Sequence, residues 1–313
     1  MDRRISIIGA GNVGATVAHE IARQDLAKEV VMVDVREGIA EGKALDIWQS
    51  SSISKFNSRV IGVTGDYART RDSSIVVITA GMPRKPGMSR NDLIITNAVI
   101  VKEATEQAVK YSPDAIIIVV TNPVDVMTYT AYKASRKAPG HIFGMSGVLD
   151  TARYKAFVAE ALNVSPAGIH ALLLGTHGDN MVPLKRYTSV SSIPVQDLLS
   201  DEILDKIYER TRQGGIELVN LMGMSAWYAP GAAVAVMVNA INRDEHRVFP
   251  LSAYLHGEYG FKDIYMGVPV ILGKNGVERI LQLKLNQEEI RMLRESAESI
   301  YAGMEILNKM NLF

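Results

Sequence analysis

The sequence predicts an α/β protein in which a doubly wound parallel sheet is followed by an α+β second lobe. Three observations carry that expectation. The first half alternates short apolar runs, at 5–8, 30–33, 60–63, 75–79 and 115–121, with helical patterns at 13–24, 39–49 and 92–110. The runs are apolar on both faces, as parallel strands covered by helices must be. At 313 residues the chain is also long for one compact core, so two lobes are expected, residues 1–144 and 145–313, joined near Gly144 without a low-complexity linker.

The first run leads directly into Gly9-Ala10-Gly11-Asn12-Val13-Gly14, and the second ends in Asp34. This order suits a dinucleotide-binding βαβ unit of the Rossmann type. Gly9 permits a tight strand-to-helix turn, Gly11 lets backbone approach a pyrophosphate, and Gly14 lets the helix pack close to the sheet. Asp34, twenty residues past Gly14, can accept hydrogen bonds from a ribose and repel a 2′-phosphate, which favours NAD over NADP. Arg36 could soften that exclusion. The alternative is that the glycines only form a turn and Asp34 only caps a strand.

After the run at 75–79 comes Gly81-Met82-Pro83-Arg84-Lys85-Pro86-Gly87-Met88-Ser89-Arg90. Its prolines and glycines exclude a helix or central strand, so a surface loop is expected to present Arg84, Lys85 and Arg90, suited to an anionic substrate. The run at 115–121 delivers Thr121-Asn122-Pro123 to the same edge, with Pro123 fit for the first turn of a helix. Asn122 would project where cofactor and substrate meet; a purely structural Asn-Pro turn is the alternative.

In the second half, helices are expected at 149–162, 201–221, 225–242 and 287–309, the last capped by Asn286, and strands at 169–174, 248–254 and 264–272. Asp150 and Arg153 are three apart, so one helical face can address one pocket. His177 lies between Thr176 and Gly178, directly after an apolar strand, where packing gives little reason for an imidazole. With Asp150 to orient it, acid–base chemistry is the expected role. His19, His141, His170, His246 and His256 are read as structural.

Composition narrows the partners. Thirty-four basic residues balance thirty-four acidic ones, giving no support to a nucleic-acid or anionic-membrane surface. The longest apolar helical stretch, 229–241, contains Pro230 and Gly231 and is too short to cross a bilayer. Cysteine is absent, which removes disulfides, thiolate metal sites and thiol nucleophiles; no metal is expected. No export signal is visible, and a cytoplasmic protein acting on a small molecule is expected.

Taken together, these motifs resemble the lactate/malate dehydrogenase superfamily, and within it the malate dehydrogenases most like lactate dehydrogenases. The likeness runs in order through Gly9–Gly14 with Asp34, the Met82–Arg90 loop, Thr121-Asn122-Pro123, Leu149-Asp150-Thr151-Ala152-Arg153 and Thr176-His177-Gly178-Asp179-Asn180-Met181-Val182-Pro183. It implies His177 as proton donor and acceptor, Asp150 as its partner, Arg153 as the clamp on the substrate C1 carboxylate and Arg90 as the mobile group that polarises the carbonyl. It further implies that Arg84 selects a second carboxylate, that Asn122 meets cofactor and substrate, and that Ser225 is a small pocket hydroxyl. Asn12, Val13, Thr79, Ala80, Gly81, Asn97 and Thr121 would line NAD. The resemblance also implies dimers or tetramers, for which the faces at 42–51 and 225–242 are candidates. The chain departs from the pattern at Thr176, where glycine is common, and at Ser146, where alanine is usual. Two rivals are weaker. Tyr129 and Lys133 have the Tyr-x-x-x-Lys spacing of short-chain dehydrogenases, whose glycine turn is spaced differently, and a non-catalytic NAD-binding protein would have no need of His177, Asp150 and the arginines.

Overall fold

The computed structural model describes residues 3–83, 88–178 and 180–313. The predicted calls on Arg84 and Lys85 therefore lie outside the described residues. The first half is built from β1 (Arg4–Ile8), α1 (Asn12–Arg23), β2 (Glu29–Asp34), α2 (Ile39–Gln49), α3 (Ser51–Ser54), β3 (Arg59–Thr64), β4 (Ile75–Ile78), α4 (Arg90–Tyr111), β5 (Ile116–Val119), α5 (Val124–Ser135) and β6 (Ile142–Gly144). Its strands lie in the order β3-β2-β1-β4-β5-β6, every pairing parallel. All four residues of β4 and of β5 are buried, which explains their unbroken Val/Ile character. The order reverses between β1 and β4, and a crevice at such a switch point is where a ligand binds in open α/β sheets.

The second half comprises α6 (Gly147–Leu162), β7 (Ile169–His170), β8 (Leu173–Gly175), β9 (Met181–Pro183), β10 (Ser189–Val190), β11 (Ile193–Pro194), α7 (Asp201–Met222), α8 (Tyr228–Arg243), β12 (Arg247–His256), β13 (Lys262–Gly273), β14 (Gly276–Ile280) and α9 (Gln287–Lys309). The main sheet does not stop at Gly144. β6 meets β12 antiparallel through Gly144 and Ser252, and the sheet continues through β13 to β8 and β9. A small sheet, β11-β10-β7, stands apart. One apolar core extends from Ile5 of β1 to Leu307 of α9, so both halves pack as one body.

Several elements differ from expectation for identifiable reasons. The strand expected at 169–174 is split, because β7 joins the small sheet and β8 the large one, and the Leu173 N–H is taken by Thr151 Oγ1 at 3.1 Å. Pro123 is not in the first turn of α5 but precedes it as the N-cap, in extended conformation. The helix expected at 225–242 starts only at Tyr228, and most of its apolar face is core: Gly231 is so close to Thr16 of α1 that a Cβ there would overlap the threonine methyl. Asn286 does cap α9, in a reciprocal box with Glu289. Among the described residues, no helix is long and apolar enough to cross a membrane.

The three N-terminal glycines are constrained differently. Gly9 has φ +105°, and a Cβ on it would lie 2.6 Å from Ala80 N. A Cβ on Gly14 would overlap the Gly9 carbonyl oxygen, whereas a Cβ on Gly11, whose φ is −66°, would meet nothing within 4 Å. Gly14→Ala should therefore cost about 1–3 kcal/mol or more of stability, by overpacking against backbone. Gly11→Ala should leave the denaturation midpoint nearly unchanged. Urea titration of the two ligand-free variants checks the contrast, and equal losses would contradict it.

Candidate active site

At the crevice, α1 begins without a side-chain cap and without an acidic residue in its first turn, so its leading N–H groups are free to meet an anion. β1 and β4 are tied together there. Thr79 Oγ1 donates to Gly9 O at 2.8 Å, and Ala80 N to Ile8 O at 2.8 Å. Thr121 Oγ1 donates to Ala80 O at 2.7 Å, and Gly81 is so close that a Cβ on it would overlap the Thr121 methyl. Asn97 is buried on α4 with its amide fully engaged. It accepts from Met82 N at 2.7 Å and donates to Met82 O and Asn122 O, so it shapes the edge by bracing two loops. Asn122 is exposed at that edge, its side chain without a hydrogen bond among the described residues.

Asp34 ends β2 and is 8% exposed. Its Oδ2 accepts from Ala10 N at 2.8 Å, joining the glycine turn to the neighbouring strand. Oδ1 accepts from Arg36 N at 3.0 Å and Arg36 Nε at 3.1 Å. Burial works against its charge, but the Arg36 guanidinium and the two backbone N–H groups outweigh that and hold the carboxyl below its ordinary range. Asn12 is exposed at the start of α1, Val13 is half-buried, and Lys43 Nζ reaches Asn12 Oδ1 at 3.4 Å. The free N–H groups, the open space at Gly11 and the carboxylate at Asp34 together fit a dinucleotide.

The second cluster is formed by α6 and the loop after β8. His177 Nδ1 lies 2.9 Å from both oxygens of Asp150, which is 1% exposed. The bond commits Nδ1 to the carboxylate and leaves Nε2 to exchange a proton. The Asp150 charge pushes His177 above the ordinary histidine value, against burial and the nearby Arg153. Arg153 Nη1 lies 3.6 Å from Asp150 Oδ1; burial pulls its pKa down. Gly214 of α7 makes room for it, since a Cβ there would touch Arg153 Cδ at 3.4 Å. The loop itself is pinned from α9, where Ser296 Oγ accepts from Thr176 N at 2.6 Å and donates to Asn180 O at 2.7 Å.

His177, Asp150 and Arg153 are thus brought together as anticipated from sequence. Arg90 and Ser225 are not part of that contact set. Arg90 is exposed at the first position of α4 and Ser225 is exposed between α7 and α8, neither with a side-chain hydrogen bond among the described residues. The segment holding Ser225 does reach the other side of the crevice, where Asn12 Nδ2 contacts Met224 Sδ at 3.7 Å. Spacing gave no hint of Ser296, Gly214 or Ser252. Asp125 had one available signal, an acid within the apolar stretch Val124–Met127. Of the histidines read as structural, His246 pairs with Glu278 at 3.0 Å, far along the chain from this cluster.

Comparison with known proteins agrees with this architecture. The lactate/malate dehydrogenase NAD-binding domain matches residues 3–144, and the lactate/malate dehydrogenase alpha/beta C-terminal domain matches residues 147–310. A malate dehydrogenase of Cytophaga hutchinsonii is 53% identical over 305 residues, 97% of this chain and 98% of that protein. The solved malate dehydrogenase of Salinibacter ruber superposes with a TM-score of 0.94 at 51% identity, covering 98% of each chain. A lactate dehydrogenase of Cryptosporidium parvum, solved with lactic acid and NAD, also superposes with a TM-score of 0.94, at 38% identity over 98% of each chain.

The Asp34–Arg36 pair yields a prediction about cofactor choice. Asp34→Ser removes the anion that now engages Arg36 and frees the guanidinium for a 2′-phosphate. The kcat/KM ratio of NADPH to NADH should rise by about tenfold, as expected for gaining one hydrogen bond to a charged group. Adding Arg36→Ala should cancel the gain. Equal ratios in the parent and Asp34→Ser proteins would show that this carboxylate does not discriminate.

Proposed function

The chain belongs to the lactate/malate dehydrogenase family, and on that premise we propose that it is an NAD-dependent malate dehydrogenase interconverting (S)-malate and oxaloacetate. The observation that carries the reading is the His177–Asp150 pair with Arg153 beside it, in the half of the chain that follows the NAD-binding sheet. Residues 1–144 hold the cofactor and residues 145–313 the substrate. Bound NAD supplies the hydride acceptor. Neutral His177 takes the proton of the malate 2-hydroxyl at Nε2 while its Nδ1–H stays on Asp150, which stabilises the imidazolium so formed. In the reverse direction the imidazolium returns that proton to the carbonyl oxygen. Arg153 grips the C1 carboxylate through its fork of N–H groups and orients the reacting carbon. Arg90 polarises the carbonyl, Asn122 spans cofactor and substrate, and Ser225 completes the pocket.

The choice of acid rests on Arg84, by its residue type and its place in the motif. Oxaloacetate has a carboxylate where pyruvate has a methyl group. A guanidinium enclosed with pyruvate would be left without a partner, at about 3–5 kcal/mol for an uncompensated buried charge. The second reading, lactate dehydrogenase, is favoured only by the likeness in fold to an enzyme of that name. We place the enzyme in the cytoplasm as a homo-oligomer, tetramer or dimer. The absence of cysteine agrees with the first, and the exposed Leu45 and Ile53, in and just after the candidate face at 42–51, with the second. Light scattering that found only monomer would remove the oligomer from the reading.

Turnover with NADH and a panel of 2-oxo acids tests the proposal. Oxaloacetate should exceed pyruvate by orders of magnitude in kcat/KM, and Arg84→Gln should shift the ratio toward pyruvate; an unshifted ratio would remove Arg84 as selector. His177→Asn should lower kcat by about 10²–10⁴-fold with NADH binding nearly intact. The raised His177 pKa also sets the sign of the pH dependence. Oxaloacetate reduction needs the protonated ring, so its kcat/KM should fall as pH rises through that value. Malate oxidation needs the neutral ring and should rise over the same range. Parallel profiles for the two directions would exclude His177 as the group that exchanges the proton.

A further inference from the structure

Asp125 is the second residue of α5 and is 2% exposed, although its neighbours Val124, Val126 and Met127 are all apolar core. Ser252 Oγ of β12 donates to Asp125 Oδ1 at 2.6 Å. Gly267 of β13 pairs with Ser252 on one side and with Gly175, two residues before His177, on the other, and the Thr176 hydroxyl acts on the same carboxylate. Ser252 and Thr176 are themselves buried. No cation pairs with Asp125 among the described residues, and the charged groups that act on it are His177 and Asp150. A carboxylate this deep is costly to keep, and two neutral hydroxyls compensate it less completely than a salt bridge would.

The charges facing His177 explain what a second carboxylate does there. From α6 come Asp150 and Arg153, and from α5 comes Asp125. The hydrogen bonds that β12 and α9 make here come from the uncharged Ser252 and Ser296. Asp150 and Arg153 cancel formally, so a protonated His177 beside those two alone would leave a buried cluster with a net positive charge. Among the described residues, Asp125 brings this set to neutrality.

We propose that Asp125 is a positioning residue of the proton-transfer apparatus, its carboxylate held by the Ser252 and Thr176 hydroxyls so that a second negative charge stands behind His177 and supports the imidazolium. It touches neither substrate nor cofactor and acts through His177; the inference therefore rests on the acid–base reading of that ring. The electrostatics agree. Burial pushes Asp125 up to about 6, and the hydroxyls and the His177 charge restrain it from going further. Thr176, where the family pattern commonly has glycine, is a feature of this chain that such a role requires.

An NMR titration of the ligand-free protein, labelled in its histidine rings, tests the proposal. The His177 signal is assigned by its loss in His177→Asn. In Asp125→Asn the His177 midpoint should move to lower pH. Thr176→Val removes one hydroxyl, makes Asp125 easier to protonate, and should shift the midpoint in the same direction by less; Thr176→Ser should restore it. In turnover, the pH above which oxaloacetate reduction declines should move down in Asp125→Asn with KM for oxaloacetate little changed. If Asp125→Asn does not fold, the Thr176 pair carries the test alone. An unchanged midpoint in Thr176→Val, and in Asp125→Asn where it folds, overturns the proposal. Because the titration needs no turnover, a shifted midpoint in a protein inert toward oxaloacetate would defeat the malate reading and leave this one standing.

Discussion

A carboxylate buried as deeply as Asp150 has to be paired, and the pairing organises the second half of the molecule. Its two partners come from different places. Arg153 lies one turn further along the same helix, while His177 is carried in on a loop 27 residues away. For both to meet one anion, α6 must lie close against β8. Gly147 permits that, because any side chain there would run into the Leu173 carbonyl and Pro250. The same helix supplies Thr151 Oγ1 to the Leu173 N–H, which ends one strand and begins the next just before the histidine loop. Charge pairing, helix packing and strand switching are in this way a single local arrangement.

The two lobes are joined with equal economy of parts. β6 ends at Gly144, pairs with Ser252 of β12, and hands the sheet to the second lobe. Ser252 uses its hydroxyl on Asp125, so the residue that extends the sheet also contacts the buried acid behind His177. A Cβ on Gly144 would press on Thr128 and Val124 of α5. The seam between lobes is thus close-packed, and the groups that would act on cofactor and substrate are referenced to one rigid body.

What could be read from the sequence was whatever depends on local geometry. The glycine turn was legible because only glycine satisfies the positive φ at Gly9 and the backbone overlap at Gly14. The apolar runs gave the parallel sheet because strands buried on both faces admit few polar residues. The pairing of Asp150 with His177 was accessible because packing did not explain an imidazole at His177 and Asp150, three residues before Arg153, offered it a carboxylate. Strands β6, β9, β10, β11 and β14 were missed, the longest of them five residues and none with clear alternation. The break at 171–172 depends on a threonine 22 residues earlier, which no local window contains. The bracing role of Asn97 could not be seen either, since it joins two loops that sequence keeps 40 residues apart. Asp125 was visible as an anomaly, an acid in an apolar helix, but its partners come from α5's distant neighbours in the fold.

The pinning of the histidine loop by Ser296 has a consequence for how the protein comes into being. Thr176 N and Asn180 O flank His177 and are both satisfied by one hydroxyl on α9, some 120 residues further along the chain. During synthesis the NAD-binding half is complete in sequence long before that helix leaves the ribosome, so it can fold early. The loop that carries the imidazole lacks these two anchors until α9 has emerged. The NAD-binding half is thus ordered by contacts nearby in sequence, while the setting of the imidazole waits on a contact far along the chain.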